Sequence, residues 1–208
     1  MKNQDHVNPI QSLATGLFAL GILFSSMSAQ GAFSPVSLSI LPPIEFPPDD
    51  FTVTGVRASL LWGKQRDIYG LDFGLLGNIT ELTFAGVAVS GMFNITHGTT
   101  TALGLQLAGL ANYNTNKTHV FGLQAALLNI NEAESAVVGV QLAPLANLSA
   151  HTKVYGLQVS VYNKAEDVYG FQIGLVNFAD HLHGIQIGLL NFNSNGPFAV
   201  APLLNAAF

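Results

Sequence analysis

The sequence has no cysteine, which excludes a disulfide framework, a thiolate metal site and a Cys nucleophile. Charge is nearly as scarce. There are 7 Lys or Arg and 12 Asp or Glu in 208 residues, 9% of the chain, against about a quarter in an ordinary soluble domain. With a net charge of −5 there is no basic patch to neutralise phosphates, so nucleic acid is excluded as a partner. The chain also lacks a run long enough for a membrane-spanning helix, which needs roughly 20 apolar residues. Its short apolar stretch, Leu17 to Phe24, is followed by small residues up to Ala32. That pattern reads as a secretory signal peptide over 1–32, cleaved near Gly31 or Ala32.

Chemistry-bearing constellations are missing too. His97, His119, His151 and His181 fall between the repeats described below, and His181 and His183 would suit a metal only with further ligands. Asp49/Asp50 and Glu132/Glu134 read as solvated charges rather than an acid/base pair. The glycine spacings lack the strand-to-helix context of a phosphate loop, and no nucleophile motif is present. No catalytic residue, cofactor or metal is assigned, and the chain reads as a non-enzyme.

What is present is one repeat. After a proline-rich linker over 33–50, with Pro35, Pro42, Pro43, Pro47 and Pro48, residues 51–208 carry copies such as VYGLQVSVYN (154–163), VYGFQIGLVN (168–177) and LHGIQIGLLN (182–191). The first glycines are Gly70, Gly86, Gly104, Gly122, Gly139, Gly156, Gly170 and Gly184, recurring every 14 to 18 residues. Such a period holds one strand and one turn. In 168–177, alternation places Val168, Gly170, Gln172, Gly174 and Val176 on one face and Tyr169, Phe171, Ile173, Leu175 and Asn177 on the other. Turn formers such as 163–167 and 179–181 separate the copies. Connections that short suit hairpins, since parallel neighbours need crossovers of a dozen or more residues.

These features predict an all-β, antiparallel up-and-down transmembrane β-barrel of about ten strands: roughly 52–62, 68–77, 83–93, 101–112, 119–129, 136–147, 153–163, 167–177, 182–191 and 197–208. The apolar face would meet lipid, with Tyr69, Phe121, Tyr155, Tyr169 and Trp62 at girdle positions. Lumen-lining candidates are Gln106, Gln124, Gln141, Gln158, Gln172 and Gln186, with Arg57 and Asp72 as an ion pair at the equivalent places. The terminal Phe208 reads as an outer-membrane assembly signal. The expected location is the bacterial outer membrane, and the expected partners are membrane lipid, the outer-membrane assembly machinery and small solutes.

The GxQxGxxN repeats and the NFNSNGPFAVAPLLNAAF ending resemble the bacterial surface-repeat envelope proteins, over about residues 51–208. That resemblance implies an envelope location and no assigned activity. Function on this reading is a structural or weakly pore-forming, porin-like barrel. The alternative is a secreted or surface-exposed β-solenoid with an adhesive or interaction role, its stacked repeats making Asn and Gln ladders. A 14-residue repeat with one long strand weighs against it, because a solenoid coil needs two or three sides.

Overall fold

Each repeat closes on itself as a coil instead of folding back as a hairpin. In the copy spanning 152–165, Thr152, Val154 and Gln158 are buried from one side. The chain then turns at Ser160–Val161, and Asn163 and Ala165 are buried from the opposite side. The residues read as a hairpin turn are therefore the second strand of the coil. A computed structural model describes residues 32–149 and 151–208. The segment read as a signal peptide lies outside the described residues, apart from Ala32.

The strands are β1 (Phe33–Leu41), β2 (Ile44–Phe46), β3 (Thr52–Ser59), β4 (Trp62–Gly74), β5 (Gly77–Ser90), β6 (Phe93–Thr96), β7 (Thr99–Ala108), β8 (Ala111–Asn114), β9 (Thr118–Ala125), β10 (Leu128–Asn131), β11 (Ser135–Leu148), β12 (Thr152–Ile173), β13 (Val176–Asn193) and β14 (Val200–Ala207). They wind into a parallel β-solenoid of about nine turns. On the long side, β5, β7, β9 and β11 follow one another in parallel, and on the short side β5, β6, β8, β10 and β11 do the same. Long and short segments fuse into single strands in the later turns, as in β12 and β13.

The antiparallel ten-stranded barrel is thus overturned, and its porin-like pore and transmembrane strands go with it. The spacing argument failed for a definable reason. A dozen residues are indeed needed between parallel neighbours, but here the opposite wall of the coil supplies them. A two-sided coil fits in 14 residues because the long strand bends at its glycine and the corner uses only two residues. Antiparallel pairing among the described strands is confined to the ends, β1 with β2 and β13 with β14.

The proline-rich segment 33–50, expected as a linker, belongs to the same compact unit as the repeats. Its β1 pairs in parallel with β3 and starts the stack. Proline still matters at both ends. Pro42, Pro43, Pro47 and Pro48 flank the three-residue β2, and Pro202 lies in β14, next to Leu203 at φ 66. A short edge strand, proline and a left-handed residue each discourage a further strand from adding, so the stack ends instead of growing into a fibre.

Glycine makes the close stacking possible. Gly122, Gly139, Gly156 and Gly170 lie one above another with φ between 128 and 137, a region L side chains rarely adopt. A Cβ on Gly170 would fall on the carbonyl oxygen of Gly156. Beside this column runs a thin apolar core, Val120, Val137, Val154, Val168 and Leu182 in register. Most of the remaining interior is polar.

Candidate functional site

The inner face of the long side holds a column of glutamine amides. Gln124 donates through Nε2 to Gln106 Oε1 at 2.8 Å, Gln141 to Gln124 at 2.8 Å and Gln158 to Gln141 at 2.8 Å. Gln172 donates to Gln158 at 2.7 Å and Gln186 to Gln172 at 2.7 Å. All six are fully buried. Most also reach across the coil: Gln172 Nε2 donates to the Phe178 carbonyl at 3.1 Å and Gln186 Nε2 to the Phe192 carbonyl at 3.0 Å. A glutamine amide is both donor and acceptor, so one side chain serves the turn before and the turn after.

The same column begins differently. Arg57 pairs with Asp72 in register. Its Nε donates to Oδ1 and its Nη2 to Oδ2, both at 2.7 Å, and Nη1 donates to the Ile79 carbonyl at 2.9 Å. Both partners are buried from water. Asp72 pairs next with Ala88, and Ala88 with Gln106. The eight inner-face candidates therefore form one line: an ion pair, an alanine spacer, then the glutamines. In a barrel they would have ringed a lumen, whereas here they stack along the solenoid axis.

A second ladder, of asparagines, is the one the solenoid alternative implied and the barrel reading left out. Asn78 donates to Asn94 Oδ1 at 3.0 Å, and the series runs on through Asn112, Asn129, Asn147, Asn163 and Asn177 to Asn191 at 2.8–3.0 Å. Alternation had put Asn177 on the outer face with Ile173 and Leu175. The corner at Gly174–Leu175 resets the parity, and Asn177 is buried. The signal was the Asn that ends every clear copy of the repeat. Its second N–H serves a neighbouring corner, as when Asn163 donates to the Ile173 carbonyl at 2.9 Å. These side chains satisfy backbone groups that a tight turn would otherwise orphan. The two ladders donate in opposite directions along the axis, so their amide dipoles oppose.

The outer surface is sharply divided. One edge, between each short strand and the next long one, carries nearly all the exposed charge, including Lys64, Glu81, Lys117, Glu132, Glu134 and Lys164. There Lys153 Nζ lies 2.9 Å from Asp167 Oδ2, and His181 Nδ1 lies 3.0 Å from Asp167 Oδ1. The hydrogen bond to Asp167 lifts the Lys153 ammonium above the ordinary lysine value, against the opposing pull of partial burial. His183 is engaged elsewhere. It stacks on Tyr169 at 4.7 Å, and Tyr169 stacks on Tyr155 at 4.9 Å. Burial pushes the Tyr155 hydroxyl up, with Tyr169 adding to it. Among the described residues no group of three or more His, Asp or Glu could hold a metal.

The opposite edge is the apolar corner. Leu75 is 62% exposed, Leu145 50%, Leu175 50% and Leu189 58%. Beside it runs a trough lined on alternate turns by Phe73, Leu107, Leu142 and Ile173, in three adjoining hollows of about 1000, 440 and 740 Å³. The Leu38–Phe46 hairpin closes its start and Leu203 its end. From residue 84 to 116 the chain has no Lys, Arg, Asp or Glu at all. Phe208, read as an assembly signal, follows β14 and is 97% exposed.

Comparison of the chain with protein-family models, curated proteins and solved structures gives no match.

Proposed function

We propose that this chain is an exported, non-catalytic repeat protein of the bacterial envelope, a stiff β-solenoid scaffold that makes its contacts through its outer faces. The observation that carries this reading is the filling of the interior. Arg57, Asp72 and the six glutamines are buried and bond one another, neighbouring Asn and Ser side chains and backbone, so none of the eight is turned toward a solute. What remains for recognition is the outside, where an apolar edge opposes a charged one. A solenoid suits such work because stacking turns present long continuous surfaces. The apolar run Leu17–Phe24 and the small residues after it support export.

The test is cell fractionation of the full chain, with protease added to intact and to osmotically opened cells. The expected result is protein outside the cytoplasm, and its retention there when Leu20→Arg interrupts the apolar run. Wild-type protein confined to the cytosol overturns the reading. So does solute flux through vesicles reconstituted with the purified protein, which would demand a pore.

A further inference from the structure

We infer that the apolar corner is a lipid-docking edge: the solenoid lies with its axis along a membrane surface and sinks this corner into one leaflet of a bilayer. The proposal rests on the outer-surface reading above and names the partner.

Four observations converge on hydrocarbon as the occupant. First, the corner and its trough run the length of the solenoid, about nine turns, or roughly 40 Å at ~4.8 Å per turn. An exposed, largely apolar surface of that size, broken by Glu45 at its start and by single serines, is unusual on a soluble protein. Second, aromatic rows flank it on both sides. Phe121 and Tyr155 lie in register with Val138 on the long side, with Tyr169 stacked beyond Tyr155. On the short side one row runs from Tyr113 through Ile130 to Phe178, which stacks on Phe192 at 4.2 Å, and it also holds Lys64 and Lys164, where it borders the charged edge. Rings set between an apolar zone and a charged one occupy the level that aromatic side chains prefer at a membrane interface.

Third, the depth fits. Tyr155 precedes Val161 at the corner by six residues, roughly 20 Å of strand, and in the next turn Phe178 follows the corner residue Leu175 by three, roughly 10 Å. One leaflet of hydrocarbon is about 15 Å thick. Fourth, the strands that would be immersed are paired with the turns on either side, so their backbone groups meet lipid already satisfied. A second copy of the chain, its corner laid into the trough, is the competing occupant that the experiment below separates. With 7 Lys or Arg in the whole chain, attraction to anionic lipid contributes little, so zwitterionic lipid should suffice.

The experiment is flotation of the purified full chain with phosphatidylcholine vesicles, together with quenching of Trp62, the single tryptophan, by lipids brominated along the acyl chain. Trp62 pairs with Gly77, which pairs with Phe93, in the short-side row nearest the corner. The expected result is flotation that survives 1 M salt (about a 3 Å screening length) and quenching of Trp62. Leu145→Asp with Leu175→Asp should lower partitioning roughly tenfold or more, since burial of one leucine is worth about a decade. Both side chains are already exposed, so the circular dichroism of the pair variant should match wild type. Leu17→Asp with Leu20→Asp, which silences the N-terminal run, should leave flotation and quenching in place.

Failure of the wild-type protein to float overturns the proposal. So does flotation abolished by the N-terminal change and untouched by the corner change. A dimer in ultracentrifugation that the corner change dissolves, without flotation, would assign the edge to a second copy instead. None of these bears on whether the protein is exported, which fractionation reads separately.

Discussion

The first turns of the solenoid and the last are built on the same column with different chemistry. Over β3 to β5 the column is Arg57, Asp72 and Ala88, whereas over β12 and β13 it is Gln158, Gln172 and Gln186. The two members of the ion pair bond each other, and the next turn places Ala88, which adds no side-chain bond, above Asp72. An amide column has no such end, because every member repeats the donor and acceptor of the one before. Register is most regular in the last turns, although the ion-paired β3 and β4 also keep a single offset. Between Tyr162 and Ile173 the paired residues lie 14 apart, as Gln172 and Gln186 do, whereas β4 with β5, β5 with β7 and, within the amide column, β11 with β12 each shift. Three of the four buried side-chain atoms without a partner among the described residues, Ser59 Oγ, Asn78 Oδ1 and Ser90 Oγ, also lie in the early turns.

The sharpest way to break this contrast is to strand the charge. Asp72→Asn should cost about 3–5 kcal/mol, because Arg57 stays buried without its counter-ion. The double change Arg57→Gln with Asp72→Gln should cost clearly less, as it begins the column with amides. Urea unfolding of the wild type, the single and the double variant checks this, and equal losses would contradict it.

Glycine gives the next effect. Gly170→Ala should cost about 3 kcal/mol, combining a φ of 137 with a methyl group placed on the Gly156 carbonyl. Gly104→Ala, at φ 96 in the irregular part, should cost about 1–2 kcal/mol. Its Cβ would meet only Val87 Cγ2, at 3.9 Å. Thermal denaturation of the two variants should rank them in that order.

A gap in the amide ladder comes third. Gln158→Ala leaves the Gln141 oxygen and the Gln172 amide without their ladder partner, and about 2 kcal/mol is the expected loss. Slower opening should be lost with it, read as faster amide hydrogen exchange in 139–175. A barrel lumen would have tolerated the same change.

The smallest effect belongs to the charged edge. Lys153→Met removes an ion pair with a half-exposed lysine and should cost less than about 1 kcal/mol. The sign with pH is definite. The Lys153 value is raised in the fold, so its contribution is full below the unfolded value near 10.4 and fades as pH rises through the folded one. Stability of the variant should be flatter than wild type above pH 10, by pH-dependent urea titration.

Strands, repeat length and the inward glutamines were legible because period-2 alternation and a recurring glycine are local signals. The Arg57–Asp72 pair was legible because two opposite charges stood at equivalent places in an otherwise neutral column. Asn177 was misplaced because alternation was carried straight through Gly174–Leu175, where the chain turns a corner. The parallel winding was missed for a related cause. Residues 163–167 have the composition of a turn, and only contact with 177–181 in the next coil shows that 162–165 is a strand wall.

By itself the sequence determined that the chain is built of β-repeats of 14 to 18 residues with little charge, a glycine and an amide in each. These are properties of one copy, and alternation and composition report them directly. Whether successive copies lie beside one another antiparallel or stack in parallel was decided only by the tertiary structure. Both arrangements bury the same alternate side chains within one strand, and they differ in which strand supplies the partner for each backbone and amide hydrogen bond.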